Sequence, residues 1–474
     1  MGSDKNRLCS LKSKMISLLE GNAVILLGGY IIYFLVVWLG LIFISRFFLW
    51  VNNPIPNSIN QIFSWNPFII SLGILTGDWI IRKNPKWKNR YWQLVSFLFM
   101  SFMFTRILQN QSPLCNYGDA GSLENFIQTG VPYPAWLIGN SVLGWIEAII
   151  WQFPPFISKL PVFFQSIQGF VFCASIITIG VGSIFLLKIW PNRLSVLFPI
   201  LSPFWILFGS GYSEYYPFVV VPLVAILSYI FSKPLTEHSA LTIGILVVSM
   251  VFYYNALIPL ALILLIWYAL VCPNKIVKTI EYIFLGSLIV LIVFWPGSIS
   301  DYFVILYRNM NWGEVNTFWQ RYSGKAAGPD SIFFSVEYAL SKEHFMDLVN
   351  FFLFGGIFPP LIMIIFGIVG RIKNTFKDFR QLNMRNPNLG LAICFIIYGI
   401  FYITFMIPKL GPNRDIDLFS FVYILFSFIA GSLWDQILQN KTYHQNVKFL
   451  LTSFLLGGSI VVLYFLIRIG LPSF

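Results

Sequence analysis

Charge is scarce in this chain. Only 11% of its 474 residues are Asp, Glu, Lys or Arg, while 57% are hydrophobic. A soluble protein carries roughly 25% charged residues, so no helix or strand pattern keeps a surface of this composition in water. Cysteine is also sparse. The five residues Cys9, Cys115, Cys173, Cys272 and Cys394 show no CxxC spacing, which argues against a disulfide framework and against a zinc site. The three histidines, His238, His344 and His444, are too far apart in sequence to suggest a His-ligated metal. Low-complexity tracts and internal repeats are missing, so the chain reads as a single membrane domain over 1–474.

What remains is a series of long apolar runs. Runs of about 17 residues or more fall near 23–45, 66–81, 92–109, 160–187, 194–210, 216–232, 239–254, 256–272, 279–295, 349–370, 388–408, 418–434 and 449–467. Barrel strands alternate polar and apolar residues over about ten positions, and these runs do not. The expectation is an all-α, polytopic transmembrane bundle of about 13 spans, with helices kinked at Pro259, Pro359 and Pro360. The run at 23–45 exceeds the apolar core of a signal peptide and reads as a retained anchor.

With the N-terminus inside, about 21 of the 31 Lys and Arg fall on inner segments, Arg82, Lys233, Lys275 and Arg371 among them. The C-terminus is then outside, and the acids lean outward. The net charge of +12 becomes an orientation signal matched to anionic inner lipids rather than a nucleic-acid footprint. Two long outer loops result, 110–159 and 296–350. The apolar stretch 135–151, with Trp136, Trp145 and Trp151, reads as an interfacial helix; as a span it would put Arg371 to Arg385 outside.

Four polar motifs then share the outer face: Gly118-Asp119-Ala120-Gly121, Ser213-Glu214-Tyr215-Tyr216, the stretch from Gln320 through Arg321 to Lys325, and Asn413-Arg414-Asp415-Ile416-Asp417. Asp119 sits between glycines that allow close backbone approach, where a carboxylate serves as a general base or, more plainly, caps a helix. Glu214 lies in a very short outer hairpin beside Tyr212, Tyr215 and Tyr216, suited to a sugar or isoprenoid head or simply to an aromatic-belt turn. Asp415 and Asp417 are spaced to share a divalent cation, Mg or Mn, or to favour a helix N-terminus; Arg414 beside them suits a phosphate. Arg321 and Lys325, near Trp312, Trp319 and Tyr322, suit an anionic lipid head group or a solvated loop. The span interiors hold almost no ionisable group, unlike those of ion-coupled transporters.

In this layout, and in the Gly-Tyr-Ser-Glu-Tyr-Tyr-Pro and Arg-Asp-Ile-Asp-Leu-Phe runs, the chain resembles the GT-C superfamily of integral-membrane glycosyltransferases, which includes protein O-mannosyltransferases and the aminoarabinose transferases of lipid A. In many members the acidic loop follows the first span; here Asp119 follows the third, and no second acid accompanies it. The resemblance implies a polyprenyl-phosphate sugar donor, a lipid, glycan or protein acceptor, and inverting transfer with Asp119 as base. It implies Arg414, Arg321 and Lys325 on the donor phosphate, and Glu214, Tyr216 and Tyr133 on substrate. A lipid-glycan polymerase or ligase, and a lipid or glycan transporter or flippase, are the competing classes. Few alanines beside many Phe, Ile and Asn suit an AT-rich bacterial genome, and hence an inner (plasma) membrane with a periplasmic or extracellular site.

Overall fold

The computed structural model describes residues 25–39, 66–83, 86, 93, 167–189, 193–200, 202–209, 216–294, 339–355, 387–405, 419–439, 453 and 457. Among the described residues every regular element is helical and none is a strand. The helices are α1 (Ile25–Leu39), α2 (Asn66–Lys83), α3 (Ile167–Ile189), α4 (Arg193–Ile200), α5 (Pro203–Gly209) and α6 (Tyr216–Phe231). After them come α7 (Ala240–Tyr253), α8 (Ile258–Val271), α9 (Ile276–Phe294), α10 (Lys342–Gly355), α11 (Pro387–Phe405) and α12 (Ser420–Gln439). Short 3-10 turns at Leu235–Glu237, Asn255–Leu257 and Pro273–Lys275 join α6 to α7, α7 to α8 and α8 to α9.

The apolar runs locate these helices closely, with three corrections. The run 194–210 is two helices. Pro203 has no N–H to give to the Pro199 carbonyl, so Ser202 N–H closes the turn on that carbonyl at 3.0 Å. Ser202 then caps the new helix, its Oγ accepting from Trp205 N–H at 3.3 Å, with Pro203 at the first helical position. Pro259 does not kink a span. It stands in the first turn of α8, where a missing N–H leaves no bond unmade, and the chain bends earlier, at the extended Tyr254. Finally, α10 begins at Lys342, inside the expected loop 296–350, because Ser341 caps it through His344 N–H at 3.0 Å. Pro359, Pro360, the helix expected at 135–151 and the loop 110–159 lie outside the described residues.

The bundle has two chemically different ends. At one, the turn after α6 is held by side chains from other elements. Asn388, at the start of α11, accepts from Leu235 N–H at 2.9 Å and donates to the Lys233 carbonyl at 2.8 Å. Lys275 Nζ donates to the Thr236 carbonyl at 2.9 Å and the His238 carbonyl at 3.3 Å. At the other end the starts of α6 and α12 meet the ends of α7 and α11. Thus α6 runs antiparallel to α7 and parallel to α12, and α11 runs antiparallel to α8 and α12.

Close backbone approach is built in with small residues. A β-carbon on Gly182 would fall 2.7 Å from Val221 of α6, and one on Gly399 would fall 2.8 Å from Phe426 of α12. The tightest case is Gly390, where the Trp267 ring of α8 occupies the space, 2.1 Å from where a β-carbon would stand. Gly390→Leu is therefore expected to cost about 1–3 kcal/mol by overpacking, read as a lower unfolding midpoint of the purified protein. Gly73, with nothing within 4 Å of its β-position, is the control, and equal effects at the two glycines would refute the packing argument.

Candidate functional site

Two of the four segments expected to carry the site are bounded on both sides by described helices. The segment 210–215, with Glu214, leaves at Gly209 of α5 and returns at Tyr216 of α6. The segment 406–418, with Arg414, Asp415 and Asp417, leaves at Phe405 of α11 and returns at Phe419 before α12. These four junctions share one aromatic cluster. The Tyr216 ring stacks on Phe208 at 6.4 Å and 10°, and meets Tyr254 edge-on at 6.3 Å. Tyr254 meets Phe421 at 6.1 Å, and Tyr402 meets Phe421 at 4.9 Å and Phe419 at 6.0 Å. Phe351 of α10 completes the chain of contacts, 5.1 Å from Phe419 and 4.6 Å from Tyr423. Edge-to-face pairs of this kind contribute about 0.5–1.5 kcal/mol each beyond area burial, so the cluster is a stiff base beneath the two motif-bearing segments.

Tyrosine hydroxyls tie the same end together. Tyr423 donates to the Phe351 carbonyl at 2.7 Å and Tyr398 to the Ala256 carbonyl at 2.7 Å, while Tyr253 donates to the Phe218 carbonyl. The Ala256 carbonyl lies in the 3-10 turn, and the Phe218 carbonyl has no helical partner because Pro222 lacks an N–H, so these two phenols satisfy groups the backbone leaves open.

Of the candidate site residues, Tyr216 is the one described, and it is only 5% exposed. Phe208 covers one face of its ring and Tyr254 packs edge-on. Asp119, Tyr133, Glu214, Arg321, Lys325, Arg414, Asp415 and Asp417 lie outside the described residues. Among the described residues no three His, Cys, Asp or Glu side chains gather to hold a metal.

Sequence reasoning missed His344, in the first turn of α10. Burial pushes its imidazole down to about 4, against the opposing effect of a bond with the Thr404 backbone. It is neutral at pH 7 and so cannot serve as a phosphate-binding cation there. Its neighbourhood with Thr404 also brings α10 against the end of α11, a pairing that local sequence does not encode. No protein-family model matches the chain, and no curated protein or solved structure shows a significant match to it.

Proposed function

We propose that the chain is an integral-membrane glycosyltransferase of GT-C type, working at the outer face of a bacterial plasma membrane. The membrane part of this reading rests on which side chains face outward. Leu270 and Ile292 are each 72% exposed, and Phe284 of α9 is 66% exposed. Ile266, Val277 and Leu285 face outward with them. Faces this apolar are stable against hydrocarbon and aggregate in water. Judged on the fully described residues, no single helix is long and apolar enough to cross a membrane; one bent pair, Ile258–Val271 with Pro273–Ile292, meets that test together. The whole backbone of α3 runs 23 residues with one charge, Lys188. At 1.5 Å per residue this is about 34 Å, the scale of a hydrocarbon core. Glycine-lined helix contacts also suit a medium where packing, not water exclusion, joins helices. The described helices fit within the layout of about 13 spans, and the gathering of Lys233, Lys275 and Asn388 at one end supports an inner side there.

The observation that carries the enzymatic reading is the shared aromatic base. Glu214 lies two residues from Tyr216, and Asp417 lies two from Phe419. Tyr216 and Phe419 sit at the end of the bundle opposite the lysine-bearing turns, so chain continuity supports a site at that end. There an acceptor hydroxyl gives its proton to Asp119 while its oxygen bonds to the anomeric carbon of the donor. The bond from that carbon to the phosphate oxygen breaks on the opposite face, and its electron pair leaves with the polyprenyl phosphate. Configuration inverts. The departing phosphate needs fixed positive charge: Arg414 supplies it first, with Arg321 or Lys325 beside it. Asp415 and Asp417 hold Arg414 in place or share a divalent cation, Mg or Mn. Glu214, Tyr133 and Tyr216 bind sugar or acceptor hydroxyls.

Mass analysis of surface glycans and glycolipids, with and without the gene, tests the reading. The expected result is one sugar increment lost on deletion, restored by the intact gene and not by an Asp119→Asn copy. Identical profiles would overturn it. Arg414→Ala is expected to lower transfer from a polyprenyl-phosphate donor by about 100- to 1,000-fold, the scale of one lost oxyanion contact. Unchanged rate and donor affinity would remove Arg414 from the site.

One observation favours a transporter instead. The break between α4 and α5 lies inside the bundle, and broken helices mark substrate paths in many carriers. Lipid movement across proteoliposomes without sugar transfer would decide for that class.

A further inference from the structure

The end of the bundle away from the aromatic cluster carries a buried histidine that the glycosyltransferase reading does not use. His238 is 0% exposed, in the turn between α6 and α7. Its Nε2 lies 3.2 Å from the Ile230 carbonyl, which fixes the neutral tautomer with the proton on Nε2. Nδ1 is then a buried lone pair with no hydrogen-bond partner. The backbone around the ring is held from outside the turn: the His238 carbonyl accepts from Tyr268 OH at 3.0 Å and from Lys275 Nζ at 3.3 Å, and Asn388 grips the turn at Lys233 and Leu235.

The groups facing the ring offer a proton on Nδ1 little support. From the turn itself come Lys233, whose Nζ donates to the Glu237 carbonyl at 3.3 Å, and the exposed Glu237, whose charge water screens. The 273–275 turn contributes Lys275, α8 the neutral Tyr268 and α11 the neutral Asn388. From α6, the Tyr229 ring lies 5.2 Å away. The Lys233 carbonyl, the other backbone acceptor facing the ring, already takes the Asn388 amide. A second ring proton would thus be a buried charge beside the Lys233 and Lys275 ammonium groups, and its one further backbone acceptor, the Lys233 carbonyl, would be shared with the Asn388 amide. Burial and the ammonium charges oppose it.

We infer that the turn 232–239 is an acid-released latch: a proton taken up by His238 unseats the ring and frees the turn from Lys275, Tyr268 and Asn388. The ends of α6 and α7 then part from those of α8, α9 and α11 on the lysine-bearing side. Burial, with the Lys233 charge adding to it, lowers the imidazole below its ordinary 6.5, and the Ile230 carbonyl, the Glu237 charge and the Lys233 carbonyl oppose that shift. The sign follows. Above 6.5 both closed and opened turns hold neutral His238, and the latch keeps its full strength. Below 6.5 the opened form takes the proton first, so closure weakens as pH falls until the closed form also protonates.

Hydrogen exchange of the full-length protein in lipid nanodiscs, corrected for intrinsic rates and run from about pH 7.5 to about pH 5, tests this. Protection of the 232–239 amides is expected to fall as pH drops below 6.5, and to level off once the closed form also takes the proton, while the aromatic end keeps its protection. His238→Gln should remove the pH dependence. Lys233→Met, which lets the closed form protonate more easily, should shrink the total loss. A flat wild-type profile, or the same slope in His238→Gln, would overturn the latch. If His238→Gln does not fold, an undiminished loss in Lys233→Met overturns it as well.

Discussion

Asp119→Asn is expected to reduce sugar transfer by about 100- to 10,000-fold, the contribution of a positioned general base. The amide keeps the shape of the carboxylate and its ability to accept hydrogen bonds, so the Gly118 to Gly121 turn and any helix cap it provides are preserved. What it loses is the capacity to take a proton from the acceptor hydroxyl as the new bond forms. The loss should fall on kcat, with donor affinity and the unfolding midpoint unchanged, because donor phosphate binding is assigned to Arg414, Arg321 and Lys325. The measurement is the single-turnover rate with a labelled polyprenyl-phosphate sugar, alongside donor binding to the same sample. Turnover within a few-fold of wild type would take the base role from Asp119. Lost folding without a separable loss of chemistry would return it to an ordinary capping aspartate.

Among the described residues the helices are legible in the sequence, because an apolar run is a statement about medium as well as conformation. Tyr216–Phe231, Ala240–Tyr253 and Pro387–Phe405 begin and end within a few residues of the expected 216–232, 239–254 and 388–408. The break at Ser202 escaped notice because hydropathy is blind to it: Pro199 and Pro203 are as apolar as their neighbours but leave the N–H accounting different. Their spacing, four residues apart with a serine between, was the available signal. The clamp by Asn388 could not be read at all, since it joins positions 153 residues apart in sequence, and an asparagine opening a helix looks locally like a cap. Tyr216, in the short outer hairpin with Tyr212 and Tyr215, reads as a sugar or isoprenoid contact or as part of an aromatic-belt turn, and the structure buries it against Phe208 and Tyr254. Aromatic composition is the same for a belt and for a packed cluster; only the partners distinguish them. From sequence the candidate site is an expectation of chemistry on one face, in Asp119, Glu214 and Arg414, whereas the aromatic cluster joining Phe208, Tyr216, Tyr254 and Phe421 needs three-dimensional information.

Trp205→Ala is expected to be the most destabilising single change among the described residues, by about 3–5 kcal/mol, the scale of a fully buried aromatic replaced by alanine. Trp205 is 0% exposed and lies in the first turn of the short helix that follows the break at Ser202. Its indole N–H donates to Ser183 Oγ at 2.7 Å, and the Ser183 hydroxyl donates on to the Ile179 carbonyl at 2.7 Å, so one relay fastens α5 to α3. A broken helix needs such a tie, because α4 and α5 are too short to persist alone and no continuous backbone ladder aligns them. In lipid the lost ring is missed mainly through dispersion contacts, which the cavity forfeits whatever the solvent outside. Trp205→Phe separates the two contributions. It keeps a six-membered ring and removes the N–H with the pyrrole part of the indole, and since Ser183 retains its bond to Ile179 the cost should be about 1–3 kcal/mol, below that of alanine. Unfolding of the purified protein in mixed micelles of increasing denaturing detergent reads both values. If alanine costs no more than phenylalanine, the indole fills no tight space, and the pairing of α5 with α3 does not hold the break in place.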